Sequence, residues 1–323
     1  ILGASAIKSN HPLNVGMVGM HGNYAPNKLT NECDVLIAIG MRFDDRVTGN
    51  LKTYSKQAKV IHFEIDPAEI DKNVKTDVAV LGHAKESLTQ LIPLLEEKSH
   101  DTWLLEFRKL YEVEYENVIK NDLHPTKAGL TMGEVIREIN IHSSGDAAIV
   151  SDVGQHQMVA CRYAEFNKSK SNITSGGLGT MGFALPAAIG AKMAAPDRDV
   201  VAIIGDGGYQ MTIQELGTIF QTRVPVKIVV LNNEFLGMVR QWQQLFFDKR
   251  YASTEMTNPD FVQIAKGYAI EAKKISTRED LETAVKTMMK HDGPYFLEVV
   301  VEKEDNVFPM IPTGASVSEI RLS

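Results

Sequence analysis

The sequence predicts an α/β fold with two open, mostly parallel sheets and helices on both faces, and three observations point that way. Short β-branched runs alternate with stretches of helical periodicity over most of the chain. The composition, 44% hydrophobic and 23% charged, is that of an ordinary globular protein and excludes disordered, collagen-like and coiled-coil architectures. The length, 323 residues, allows about two domains at roughly 150 residues each.

In chain order, Val35–Ile39 and Val60–Ile65 read as buried strands, followed by a short strand at Val78–Val80 and a helix over 84–95. From Asp101 to about Asn121 the apolar residues Trp103, Leu104, Phe107, Leu110 and Tyr111 recur at helical spacing in a charged stretch, which predicts an amphipathic connecting helix. The expected division is thus a partial middle domain over 1–98, a helical linker over 99–122 and a second domain over 123–323. In the second domain, strands are expected at 148–151, 200–204, 226–231, about 268–272 and 295–301. Asn258-Pro259 reads as an N-cap followed by proline at the first helical position. Ser276-x-x-Glu279 reads as a capping box ahead of Leu281, Ala284, Val285 and Met288.

Bulk properties exclude several functions. Lys plus Arg number 34 and Asp plus Glu 41, for a net charge of −7 with no long basic run, so neither nucleic acid nor an anionic membrane is the expected partner. Cys33 and Cys161, far apart, form neither a disulfide framework nor a metal set. No apolar run approaches the roughly 18 residues of a membrane helix, and the first residues lack a basic signal-peptide region, so a cytoplasmic location is expected.

The chemistry concentrates in one βαβ unit. Its first strand ends in Gly205-Asp206-Gly207-Gly208 and its next in Asn232-Asn233, 27 residues from Asp206 to Asn233. Adjacent parallel strands lie about 4.8 Å apart, so a carboxylate and a side-chain amide are placed to reach one ion. Oxygen-only ligands suit a hard cation such as Mg²⁺, whose octahedron is completed by water and phosphate oxygens. The implied ligand is a diphosphate. Taken alone, each segment also reads as a plain strand-ending turn.

The pairing resembles the thiamine-diphosphate motif. That resemblance implies metal ligation by Asp206, Asn233 and the main-chain carbonyl of Phe235. Further segments narrow it: Gly154-Gln155-His156-Gln157-Met158, Gly176 to Gly182, Gly237-Met238-Val239-Arg240-Gln241-Trp242 and Pro309 to Gly314 resemble the catalytic large subunit of acetohydroxyacid synthases. Gly19-Met20-His21-Gly22 and Gly40 to Gly49 resemble the FAD-contacting segments of the middle domain in that family. The likeness runs from about His11 to the C-terminus.

The resemblance implies that Gln155 and His156 contact the cofactor diphosphate, His156 adding charge if protonated, with Gly207 and Gly208 beside it. Gly179 would accept from the pyrimidine amino group, with Thr180 adjacent. Met181 would support the bent cofactor, Gly237 and Met238 would line the pocket, and Trp242, Met238 and Arg46 would shape the substrate site. FAD would meet Gly19, Met20, His21, Gly40, Met41, Arg42, Phe43, Asp44, Glu64 and Ile65, as a structural cofactor. Without the motifs, Met181 and Met238 read as core methionines, Trp242 as a helix-face aromatic, and Arg42 and Arg46 as surface ion-pair residues. Gly82-His83 departs from the Gly-Asp common in the family.

The implied reaction decarboxylates pyruvate on thiamine diphosphate and condenses the two-carbon unit with a second 2-ketoacid. A homodimer or higher assembly and a regulatory small subunit are family expectations. The family also needs a glutamate on a separate N-terminal pyrimidine-binding domain, which these residues do not contain. The chain is therefore expected to be the C-terminal part of a longer enzyme and inactive alone. A related thiamine-diphosphate enzyme, such as a pyruvate oxidase or 2-ketoacid decarboxylase, and a non-catalytic cofactor-binding module are the alternatives.

Overall fold

The computed structural model describes residues 3–323, which divide into two compact units. Each is assembled from separated stretches of chain. The first comprises Val15–Ile119 with the tail Phe308–Ser323; the second comprises Lys120–Val307 with the described residues up to Asn14. The packing thus cuts the chain differently from the contiguous blocks read from the sequence: the tail lies in the first unit and the start of the chain in the second.

The first unit is built on a three-stranded parallel sheet, order β1 (Val35–Ile39), β2 (Lys59–Glu64), β3 (Val78–Leu81). Four helices accompany it: α1 (Tyr24–Thr30), α2 (Asp45–Thr48), α3 (Ala84–Leu91) and α4 (Asp101–Glu114). Ala38, Phe43, Tyr54 and Val60 form its core with Ile311, Val317 and Ile320 of the tail. The expectation that β1 is a buried strand is corrected: Val35, Ile37 and Ile39 are exposed, because the core covers only the side carrying Ala38. The expected linker helix, α4, is an integral part of this unit. Its buried Glu114 accepts hydrogen bonds from Tyr24 N at 2.6 Å and Asn23 Nδ2 at 3.0 Å.

The second unit carries a six-stranded, all-parallel sheet: β4 (Ala148–Ser151), β5 (Asn172–Ile173), β6 (Val200–Gly205), β7 (Lys227–Asn232), β8 (Glu271–Ile275) and β9 (Tyr295–Val300), in spatial order β5-β4-β6-β7-β9-β8. Between and around them lie α5 (Lys120–Leu123), α6 (Met132–Ser143), α7 (Gln155–Tyr163), α8 (Ala184–Ala194), α9 (Asp206–Met211), α10 (Leu216–Thr222), α11 (Gly237–Phe246), α12 (Phe261–Gly267) and α13 (Arg278–Lys290).

Strand alternation sorts this core into two layers. Ile149, Val201, Ile203, Val229, Leu231, Leu297 and Val299 pack with α6, α7 and α13. Their neighbours Ala148, Val150, Ala202, Ile204, Ile228, Val230 and Phe296 pack with α8, α9, α10 and α12. Helices therefore cover both faces, which is why these strands read as continuous apolar runs.

Three local expectations are corrected. The strand expected over 268–272 begins three residues later, because Tyr268 caps α12 and Ala269 turns through a left-handed conformation (φ 52°) before β8. The cap of α12 is Asp260, whose carboxylate accepts from Gln263 N at 2.9 Å; Asn258 does something else, described below. The N-cap of α13 is Thr277, one residue past the expected Ser276, and its hydroxyl donates to Asp280 at 2.7 Å. A capping box not foreseen in the sequence, Thr131 with Glu134, starts α6, and Arg278 braces it by donating to Glu134 Oε1 at 2.5 Å. Among the described residues, no helix is long and apolar enough to cross a membrane.

Candidate functional site: a cleft at the strand ends of the six-stranded sheet

In an open parallel sheet, ligands bind beyond the carboxyl ends of the strands. In the second unit, β6 and β7 are hydrogen-bonded neighbours with Gly205 opposite Leu231, so Asp206 and Asn233 leave the sheet side by side. Together with the start of α7 and the start of α11 they wall a cleft with about 60 Å³ of enclosed space. Gln155, His156, Met181, Asp206, Gly207, Gly208, Asn233, Phe235, Gly237 and Met238 all line it. Gly179 and Thr180 are exposed on the neighbouring loop and are not part of its wall. Trp242 lies one helical turn beyond the wall on α11, half-buried and stacked on Phe246 with ring centroids 4.9 Å apart. Met132, Leu236 and Val239 are lining residues that the sequence reading missed.

Both side chains expected to hold a cation are held by their surroundings. Asp206 is 1% exposed, and burial pushes its carboxyl up to about 6. The Asn258 amide and the backbone N–H groups of Gly207, Asp206 and Glu234 work in the opposite direction. Asn233 donates from Nδ2 to Gln155 Oε1 at 3.3 Å, and its Oδ1 accepts from Phe235 N at 3.3 Å. Gln155 in turn donates from Nε2 to Gln241 Oε1 at 2.9 Å and to the Asp305 carbonyl at 2.8 Å. Gln241 is closed off by Val307, exchanging bonds of 2.9 and 3.1 Å with its backbone. A buried amide chain thus fixes which face Asn233 presents.

The glycines of the motif are required by close packing. A Cβ at Gly208 would stand 1.9 Å from Asp152 Oδ2, at Gly207 2.8 Å from Leu236 Cδ2, and at Gly237 2.2 Å from Gln155 Oε1. Asp152 is fully buried, and its two oxygens accept from Gly182 N and Ala184 N, each at 3.1 Å. It ties the Met181 loop to the strand ends. It was legible as the first residue past β4, by the same strand-end rule that singled out Asp206.

His156 is buried, and burial holds its imidazole down at about 4, against the pull of the Asp152 charge. The shift favours the neutral imidazole over the protonated form that would add charge. Its Nε2 is buried with no protein partner.

The oxygen donors are one carboxylate, one amide and one backbone carbonyl, and among the described residues no group of three or more His, Cys, Asp or Glu side chains is placed to hold a metal. Such a set suits a hard cation that takes its remaining ligands from phosphate and water. The starts of α7 and α11 turn N–H groups without intrahelical acceptors into the same cleft, and the orphaned His156 Nε2 adds a polar atom awaiting a partner. The residues fit a metal-bound diphosphate.

In the first unit, the two segments likened to FAD contacts are brought together. Met20 N donates to the Arg46 carbonyl at 2.7 Å, and a Cβ at Gly19 (φ 108°) would stand 2.7 Å from that oxygen. Gly40 closes β1 with its N–H on the Phe63 carbonyl at 2.8 Å, beside Glu64. Glu64 Oε1 accepts from Ile65 N and Asp66 N at 2.8 and 3.2 Å, while Ile65 is exposed. Phe43 is buried against Tyr54 and His62, and the Met41 carbonyl lies 2.8 Å from His62 Nε2. His21 is buried. Arg42 pairs with Asp44 at 2.9 Å and Arg46 with Asp45 at 3.6 Å, all at the surface, and Asp44 caps α2. His83 stands at the N-cap of α3 without a side-chain cap bond.

The fold and the cleft define a parallel α/β protein with a ligand cleft at its strand ends, and comparison with known proteins says of which family. Residues 152–299 match the thiamine pyrophosphate enzyme C-terminal TPP binding domain and residues 1–91 the central domain of the same enzymes, so the chain belongs to the thiamine pyrophosphate enzyme family. Its relatives include the acetolactate synthase isozyme 2 large subunit of Escherichia coli K12, 43% identical over 320 residues, covering 98% of this chain and 57% of that protein. The acetolactate synthase large subunit of Parasynechococcus marenigrum is 42% identical over 326 residues, covering 99% and 52%. The isozyme 3 large subunit of E. coli K12 is 40% identical over 331 residues, covering 100% and 57%. The chain thus spans just over half the length of these relatives.

Proposed function

We propose that this chain carries the thiamine-diphosphate- and Mg²⁺-holding part of an acetolactate synthase catalytic subunit, acting on pyruvate and a second 2-ketoacid. The observation that carries the reading is the meeting, in one cleft, of Asp206 and Asn233 from adjacent strand ends with the starts of α7 and α11. Asp206 and Asn233, with the Phe235 carbonyl, would hold the cation, and the N–H groups at Gln155, His156, Gly237 and Met238 would receive the diphosphate. Met181 and Met238 supply an unbranched apolar wall against which a bent cofactor can rest. Gly179, Thr180 and Trp242, outside the wall, would act at its mouth, on the pyrimidine and on the second substrate.

When bound, thiamine diphosphate supplies the electron sink that decarboxylation of a 2-ketoacid requires. The chain's own contribution is position and exclusion of water: the cleft floor is buried, and neutral His156 offers a hydrogen bond without adding charge. FAD would lie along Gly19–His21, Gly40–Asp44, Glu64 and Ile65 in the first unit. The likeness to large subunits supports a homodimer or higher assembly with a regulatory small subunit, in the cytoplasm. The 323 residues alone are expected to bind the cofactor without forming acetolactate.

Calorimetric titration with thiamine diphosphate tests the reading. Saturable binding in Mg²⁺ that vanishes when the metal is chelated is expected; identical heats with and without Mg²⁺ would overturn it.

A further inference from the structure

Asn258 was expected to cap α12, a role that Asp260 takes. Its side chain points elsewhere: Nδ2 donates to Asp206 Oδ2 at 2.7 Å and to Asn232 Oδ1 at 3.1 Å, and Oδ1 accepts from Gln210 Nε2 at 2.9 Å. Both donors and the acceptor are therefore used.

The amide orientation is forced. Asn232 donates from Nδ2 to the buried Glu298 carboxylate at 2.8 Å, and its Oδ1 accepts from Glu234 N at 3.0 Å, so the atom it turns toward Asn258 is oxygen. A carboxylate oxygen also accepts only. Two acceptors facing one atom of Asn258 require that atom to be the NH₂ group.

The geometry points to Asn258 as a positioning residue for the cation carboxylate. It bridges the ends of β6 and β7 and ties Asp206 Oδ2 to a protein hydrogen bond, which restricts how the carboxylate can turn toward the metal. Partners of this kind fix the rotamer of a ligating side chain, and their loss typically costs about 10–100-fold in metal affinity. The loop carrying Asn258 is itself set on the ligand loop: Met256 N donates to the Glu234 carbonyl at 2.9 Å and Leu236 N to the Thr254 carbonyl at 2.8 Å. Cation ligands and their brace therefore move as one piece. This inference rests on the proposed cation site and extends it to a residue outside the motif.

The test measures the Mg²⁺ concentration giving half-saturation of thiamine diphosphate binding, by calorimetry, in the parent protein, Asn258→Leu, Gln210→Leu and Asp206→Ala, together with ligand-free thermal midpoints. Asn258→Leu is expected to raise the Mg²⁺ requirement about tenfold or more, with cofactor affinity restored at saturating Mg²⁺; the thermal midpoint should fall, since a hydrogen bond to a buried carboxylate is lost. Gln210→Leu, which only loosens Asn258, should shift it in the same direction by less, and it keeps the test open if Asn258→Leu does not fold. An unchanged Mg²⁺ requirement in both, while Asp206→Ala abolishes Mg²⁺ dependence, refutes the role of Asn258 and leaves the cation site standing. A weaker affinity that saturating Mg²⁺ does not restore also refutes it. If Asp206→Ala too is without effect, the cation site itself fails.

Discussion

Gly208→Ala is the sharpest structural test of how the cleft is built. The added methyl would stand 1.9 Å from Asp152 Oδ2 and 3.0 Å from its Cγ, so the Asp152 side chain must move. It is fully buried, and moving it breaks the bonds it accepts from Gly182 N and Ala184 N. Hydrogen bonds to a charged group contribute about 1.5–3 kcal/mol each, and replacing glycine in a helix by alanine returns roughly 0.5–1 kcal/mol. Weighing the two, the variant is expected to be about 3 kcal/mol less stable. Urea denaturation reads this as a lower midpoint at unchanged slope. Made together with Asp152→Ala, the same substitution should cost little further, because the group it displaces is gone. A Gly208→Ala protein as stable as the parent, which helix propensity alone would give, refutes the reasoning.

Three other outcomes follow from the same geometry. Asp206→Ala should abolish the Mg²⁺-dependent part of cofactor binding while leaving the fold intact, as calorimetry and circular dichroism would show. Asp122 is pushed up to about 6, chiefly by burial, with the Tyr163 hydroxyl, 2.5 Å from its Oδ2, and the Arg162 charge opposing. A carboxyl raised in the folded state contributes most below about pH 4, and that contribution is lost as pH rises through 6, by up to about 3 kcal/mol at pH 7. Asp122→Asn should therefore gain stability over the parent as pH rises from 4 to 7; an advantage independent of pH would contradict this. His83→Asp, which supplies the missing side-chain acceptor at the start of α3, should stabilise the first unit by roughly 1 kcal/mol in thermal or urea unfolding.

The sheet of the second unit was legible because its strands are buried on both faces, so that apolar, mostly β-branched runs such as Val200–Ile204 and Ile228–Leu231 carry an unbroken signal. The first unit was less so: the apolar run Val35–Ile39 has one exposed face, which an apolar sequence cannot announce. Helix α9 was hidden because Gly207 and Gly208 have poor helix propensity, and only their contacts with Leu236 and Asp152 explain them. The pair Asp206 and Asn233 was visible because motif spacing and strand adjacency are local properties of one βαβ unit. Its braces were not: Asn258 lies 52 residues from Asp206, and Gln241 lies 86 from Gln155, so their hydrogen bonds exist only once the fold brings them together. Local propensity assigned Asn258 to a cap, since Asx-Pro ahead of a helix is what a cap looks like, while Asp260 competes for that position and takes it.

The position of the cation is the most direct test of the proposed site. A crystal structure of the chain with thiamine diphosphate and Mn²⁺, located by anomalous scattering, should place one metal ion on Asp206, Asn233 Oδ1 and the Phe235 carbonyl, with phosphate oxygens completing its shell. A metal bound elsewhere, or a diphosphate seated away from the starts of α7 and α11, would contradict it.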